Sequence, residues 1–317
     1  MPVLPVPHLD AAPLFLTDGG IETTLIFLEG LDLPHFAAFH LLRDEEGRNA
    51  LRRYYVPYLE LARERGTGFV LESATWRASR DWADRIGYTA EALDAANAAA
   101  IGLLLDLREQ YADAVRPLIV SGNIGPRGDG YVADMAMSAD EAEAYHTRQA
   151  VVLAAAGADI ISGMTMTSAA EATGVVRAAQ SVSRPVVIAF TTETDGLLPS
   201  GETLPEAIAR VDGDTDGGPA YYMINCAHPA HFAAVLDPQE PWTRRIRGLR
   251  ANASTRSHAE LDEAPDLDAG DPQDLAARYA ALVQRLPQIT VLGGCCGTDH
   301  RHLASIADAV QQPAGGH

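Results

Sequence analysis

Eight apolar stretches rich in β-branched residues punctuate the chain, at residues 14–20, 68–73, 118–125, 159–166, 185–191, 221–227, 246–253 and 290–297. Their apolarity is continuous rather than alternating, which is what strands buried on both faces of a parallel sheet require. Helical stretches lie between them. Residues 138–157 open on a capping box, Ser138 with Glu141, and close at Gly157. Residues 89–111 are alanine-rich and amphipathic, as suits an outer helix. In residues 271–286, Asp271 is placed to cap a helix whose first position is Pro272. Residues 48–66 contain Pro57, which predicts a kink or a break there. Eight strands alternating with helices or long connections predict an α/β protein, a (β/α)8 TIM barrel formed as a single domain over residues 1–317. The rival is a doubly wound open sheet, but no strand leads into a G-x-G-x-x-G turn. The glycine-rich stretch at 121–131 carries a proline and no Lys-Ser/Thr pair, so it reads as a plain loop. Polar segments 212–219 and 254–272 read as loops within the domain.

Of the 317 residues, 47% are apolar, ample for one large core. No apolar run approaches the ~20 residues needed to span a bilayer, so no membrane partner is expected. The first ten residues lack a basic segment followed by an apolar one, so no signal peptide is expected. The net charge of −19 and the absence of a basic cluster argue against a nucleic-acid partner. A homo-oligomer is left open. Three cysteines do not make a disulfide framework, and their clustering suits a reducing, cytoplasmic setting.

Those cysteines fall at two strand ends. Cys226 closes the sixth run, and Cys295 and Cys296 close the eighth. Barrel chemistry sits at the C-terminal ends of strands, and strands six and eight both flank strand seven. Three thiolates meeting there form a soft ligand set suited to zinc with a fourth position open to substrate. Adjacent ligands normally point apart, and Gly293, Gly294 and Gly297 offer the positive φ angles that would turn both sulfurs towards one ion. Spacing leaves two other readings open, buried small hydrophobes and a vicinal Cys295–Cys296 disulfide.

At these residues the chain resembles the homocysteine S-methyltransferase family, zinc-dependent barrels that include betaine–homocysteine methyltransferase. Asn225–Cys226 is similar to the family's Asn-Cys motif, and residues 293–297 to its Gly-Gly-Cys-Cys-Gly signature. Asp18, Gly19 and Gly20 match its opening Asp-Gly-Gly, and residues 122–126 its Gly-Ser-Ile-Gly-Pro. Residues 72–79 occupy the place of its Thr-Asn-Thr-Tyr-Gln-Ala segment. The likeness runs from about residue 14 to 310. It implies Zn2+ held by Cys226, Cys295 and Cys296, and methyl transfer from a small sulfonium or ammonium donor to a thiol, homocysteine giving methionine. Without a folate or cobalamin domain, S-methylmethionine or S-adenosylmethionine is the donor the resemblance suggests. The implied partners are thus a small-molecule thiol and a methyl donor.

Two departures bear on the acceptor. The family's Glu-Thr pair after strand four reads Met164–Thr165, which removes a carboxylate from the grip on the amino acid, and its strand-two asparagine reads Ala74. Asp18 then remains as the ammonium anchor beside Gly19 and Asn225, with Glu72 and Glu193 at neighbouring strand ends as candidate substitutes. Trp76, next to Arg77, is placed to stack on a cationic donor. One of Glu193 and Asp195 is expected to face the pocket, and Glu22 reads as a solvated first-turn residue. His228, His300 and His302 lie near the cysteines and read as capping or surface residues. Two rival readings are a barrel with a structural zinc and a zinc–thiol enzyme acting on a different acceptor. A zinc hydrolase fits three sulfur ligands poorly.

Overall fold

A computed structural model describes residues 6, 14–132, 136–262, 264 and 266–311. Apart from Val6, the first ten residues lie outside it, as do 263 and 265 of the polar segment 254–272. The strands are β1 (Phe15–Leu16), β2 (Gly68–Glu72), β3 (Leu118–Ile124), β4 (Ile160–Met166), β5 (Val186–Phe190), β6 (Pro219–Asn225), β7 (Ile246–Ala251) and β8 (Val291–Gly294). They pair in parallel in that order, and β1 closes on β8. Outside them run α1 (Glu45–Arg65), α2 (Ala90–Tyr111), α3 (Ala139–Ala156), α4 (Ala169–Ser181), α5 (Leu204–Thr215), the one-turn α6 (Pro229–Phe232), α7 (Pro272–Arg285) and α8 (His300–Gln311). This is the (β/α)8 barrel the eight apolar runs predict. Among the described residues, no helix is long and apolar enough to cross a membrane.

The continuous apolarity of the strands is explained by two cores. One lies between strands and helices and gathers outward-facing residues such as Leu71, Val120, Ile161, Ile188 and Leu249 with the buried faces of the helices. The other fills the barrel with Phe15, Val70, Ile119, Ile160, Val187, Tyr221, Met223 and Val291. β7 presents Gly248 there, where an added Cβ would meet the side chain of Met223.

The caps fall where the sequence puts them. Ser138 and Glu141 form the capping box of α3, which ends on left-handed Gly157. The Asp271 side chain accepts from Gln273 N at the start of α7. Three expectations are corrected. α1 runs unbroken through Pro57. The carbonyl that the proline leaves without a donor belongs to exposed Arg53, where water can serve it, while Leu51, Tyr54, Tyr55, Tyr58 and Leu59 bury the opposite face. Residues 212–215 are not loop but the last turn of α5, because Val211 and Thr215 complete its buried face and Asp216 supplies the left-handed stop. The segment 254–272 holds a short helix, His258–Asp262.

Candidate active site

Side chains two apart on a strand share a face. One step beyond the apolar filling of the barrel, the same strands therefore present Thr17, Glu72, Ser121, Ser162, Arg250 and Gly293. This layer floors a cavity of about 300 Å³ at the C-terminal end of the barrel, lined by Asp18, Glu72, Met164, Arg250 and the three cysteines among others. Ser121 and Ser162 share a hydrogen bond of 2.7 Å, and the Ser162 hydroxyl donates to Glu72 Oε2 at 2.6 Å. Arg250, 7% exposed, reaches Asp18 Oδ1 with Nη2 at 2.9 Å, and its Nε donates to Gly294 O at 3.2 Å. Tyr54 donates its hydroxyl to the other Asp18 oxygen at 2.8 Å. Desolvation raises the pKa of Asp18, opposed by Arg250 and Tyr54. Glu72 is raised by the same cause, opposed by Arg250 and Ser162. The floor is a buried triad of two carboxyls about one guanidinium.

The sulfurs of Cys226, Cys295 and Cys296 lie within 4.8 Å of one another. β6 and β8 deliver them to the C-terminal ends flanking β7. Cys226 sits in the left-handed region (φ 52°), as does Thr165 (φ 60°), and Asn225 ties the two ends together. Its Oδ1 accepts from Thr165 N at 2.9 Å and its Nδ2 donates to Thr165 Oγ1 at 2.8 Å. The amide of Asn225 is therefore spent on the backbone that turns Cys226 inward. Of the three glycines around the cysteine pair only Gly297 has a positive φ (80°). Gly293 and Gly294 serve by close packing instead. A Cβ on Gly293 would strike Thr17 Oγ1 and lie 3.1 Å from Arg250 Cγ, and one on Gly294 would strike Thr298 Oγ1. Cys295 is joined to Cys226 in a disulfide, across the barrel mouth rather than to its neighbour, and Cys296 lies outside that bond.

Around the mouth the sequence-derived candidates separate. Asp18, Gly19, Glu72, Trp76, Asn225 and the cysteines line the cavity. Glu193 is not among its lining residues; it meets His258 Nδ1 at 3.0 Å, while the His258 Nε2 lies 2.6 Å from Cys226 O. Asp195 accepts from Leu197 N in an exposed turn. Trp76 donates Nε1 to Met164 O at 3.3 Å, and Arg77 sits over its ring at 4.8 Å and over Trp82 at 3.7 Å. Glu22, expected to be solvated, is half-buried and lines the cavity, and desolvation pushes its carboxyl up to about 7. His228 accepts from Ala230 N as a helix cap, and its desolvated ring is lowered to about 4. His300 is exposed. His302 is fully buried rather than superficial, bonded to Asp299 at 3.2 Å and to Ala269 O at 2.8 Å, and so holds the loop before α7.

Sequence reading missed Arg250, Tyr54, Tyr131 and His258. Tyr131 stacks on His258 with ring centroids 4.0 Å apart, and its hydroxyl lies 3.2 Å from Cys296 Sγ. A charged residue inside the seventh apolar run was the available signal for Arg250. The others come from two helices and a loop whose approach to the mouth only tertiary structure reveals.

A sequence model of the family described as "Homocysteine S-methyltransferase" matches residues 15–310. Among curated proteins, the chain is 24% identical to homocysteine S-methyltransferase 4 from Zea mays, covering 96% of this chain and 91% of that one. It is 22% identical to selenocysteine Se-methyltransferase from Brassica oleracea var. italica, over 92% and 87% of the two chains. Among solved structures, the metallated form of the homocysteine methyltransferase MmuM from Escherichia coli superposes with a TM-score of 0.72, at 20% identity over 95% and 97% of the two chains. Its oxidized form gives 0.71 at 22% identity, with the same coverage.

Proposed function

Because the chain belongs to the homocysteine S-methyltransferase family and is, with it, a methyltransferase, we propose that it transfers a methyl group from a small sulfonium or ammonium donor to a thiol, homocysteine giving methionine. The observation that carries this reading is the convergence of three cysteine sulfurs within 4.8 Å in the lining of the cavity. Once the Cys226–Cys295 bond is reduced, the three fit Zn2+ by donor softness and by closeness, with the cavity on the open side. Zinc there would supply the Lewis acidity that keeps an acceptor thiol deprotonated at neutral pH. The chain's own contribution is to position the reactants and exclude water. Asn225 and Thr165 hold Cys226 turned inward, Gly19 and Gly20 let the backbone approach the Cys295 loop, and the Asp18–Arg250–Glu72 floor sets the field beneath the thiol. Trp76 and the half-exposed Phe27 and Phe36 offer aromatic faces at the rim for an onium group.

The test is metal analysis of reduced protein alongside methyl transfer to homocysteine from S-methylmethionine and from S-adenosylmethionine. The expected result is one zinc per chain, largely lost in Cys296→Ala, with turnover from one of the donors. Undiminished zinc in that variant would refute the site. A second reading, a different thiol acceptor at the same metal, is favoured by Asp18 being already paired with Arg250 and by Met164 standing where the family has a carboxylate.

A further inference from the structure

Methyl transfer of this kind brings a cation to the pocket, either the α-ammonium of an amino-acid thiol or the onium centre of the donor, and a desolvated cation needs a carboxylate. Most carboxylates of the lining are engaged. Asp18 is held on one oxygen by Arg250 and on the other by Tyr54. Glu72 lies in the floor, bonded to Ser162. Asp129 pairs with Arg77 at 3.6 Å and accepts from Tyr131 N. Asp268 accepts from Ser254 and Gly270. Asp266 is exposed, where water screens it. Residue 164 is a methionine. Glu22 differs from all of these, being half-buried and lining the cavity with no hydrogen bond or ion pair to another side chain among the described residues.

Its backbone is also fixed against the backbone of the cysteine loop. Gly20 N donates to Thr298 O at 3.0 Å, and Gly297 N donates to Thr23 Oγ1 at 3.2 Å, so the Gly20–Thr23 turn is clamped to the loop that carries Cys295 and Cys296. A Cβ on Gly20 would lie 2.6 Å from Cys295 O, a measure of how close the two backbones run. We propose that Glu22 is the carboxylate that receives the cationic group of a substrate in this pocket, in the place that Asp18 and Met164 leave open. The inference rests on the methyl-transfer reading above. It deepens that reading by naming a specificity residue that the sequence treated as solvated surface.

Desolvation raises the Glu22 carboxyl to about 7, and a cation brought beside it would offset that cost. Its own backbone N–H favours its ionisation, as do Arg77 and Arg250, and Asp18 opposes it. A bound cation would hold it ionised, and this contribution to affinity would grow as pH rises through 7.

The experiment is calorimetric binding to reduced, zinc-loaded protein at pH 6 and pH 8.5, for the wild type, Glu22→Gln and Glu22→Asp. Three probes are used: homocysteine, 4-mercaptobutanoate (the same thiol without its amino group) and trimethylsulfonium. Glu22→Gln is expected to weaken one cationic probe by roughly tenfold to hundredfold. The loss should be larger at pH 8.5, should be partly restored in Glu22→Asp, and should leave 4-mercaptobutanoate within twofold of wild type. Selective loss of homocysteine assigns Glu22 to the acceptor ammonium, and selective loss of the sulfonium assigns it to the donor. Unchanged binding of all three probes, or equal weakening of homocysteine and 4-mercaptobutanoate, overturns the proposal while leaving the methyl-transfer reading intact. Wild-type protein that binds no probe overturns that reading, and this inference falls with it.

Discussion

Replacing Arg250 by leucine removes the one cation from the floor of the cavity and leaves Asp18 and Glu72 facing each other in a desolvated layer. Breaking a buried ion pair by deleting one partner costs about 3–5 kcal/mol, because the remaining charge stays buried without compensation. In a protein of this size each kcal/mol moves Tm by about 2 °C, so the expected fall is about 6–10 °C near pH 8. The pH dependence is the sharper signature. Burial raises the pKa of both carboxyls in the folded protein and Arg250 opposes that rise, so its loss pushes both further up. A carboxyl that holds its proton more tightly when folded than when unfolded loses stability as pH rises through the folded pKa. The variant should therefore lie closest to wild type at pH 5, where the carboxyls can take protons, and furthest below it at pH 8. The assay is scanning calorimetry from pH 5 to 8 on the wild type, Arg250→Leu, Asp18→Asn and the double variant. Asp18→Asn should remove a large part of the cost of Arg250→Leu, giving a coupling of about 1–3 kcal/mol. A pH-independent deficit with no coupling would show that Arg250 acts through its bonds to Gly19 O and Gly294 O, and would refute the electrostatic account.

Met164→Glu places a carboxylate in the wall and should raise the preference for homocysteine over 4-mercaptobutanoate by roughly tenfold to hundredfold, measured as a ratio of binding constants; an unchanged ratio would show that the ammonium does not approach residue 164. Ser138→Ala removes one half of the α3 capping box, at a residue that does not line the cavity, and should cost about 1 kcal/mol of stability with no change in thiol binding. A parallel loss of binding would mean that α3 bears on the site in a way its position does not show.

The barrel was legible because strands buried on both faces write their positions as uninterrupted apolar runs, and because Ser138, Gly157, Asp271 and Pro272 perform local tasks that local sequence can state. Pro57 misled because the penalty it imposes is local, while the burial of Tyr54, Tyr55, Tyr58 and Leu59 that overrides it is tertiary. The cysteine trio could be read from strand ends together with a family motif. The roles of the glycines beside them could not, since close packing of Gly293 on Thr17 depends on a neighbour nearly the whole chain away, and that of Gly294 on Thr298 on how the short loop between them folds back. Glu22 and Asp18 stand four residues apart with similar chemistry in sequence. Only the placement of Arg250 and Tyr54 engages one and leaves the other to the cavity.

β1 is two residues long, and beyond Leu16 the first segment leaves the ladder to lie across the end of β8. There Thr17 N donates to Leu292 O and Gly294 N to Asp18 O, each at 2.8–2.9 Å. Arg250 and Gly19 touch across 231 positions, and Gly297 and Thr23 across 274. The seam of the ring and the reactive centre are thus the same place. On a ribosome adding ~5–20 residues per second, Asp18 would emerge roughly 15–55 s before the cysteines that complete its surroundings. Until residue 250 emerges Asp18 lacks its ion-pair partner, and until β8 follows the nascent chain has no closed site. A chain stopped short of β8 would lack both the last strand and the chemistry, so loss of competence and loss of closure would be a single event.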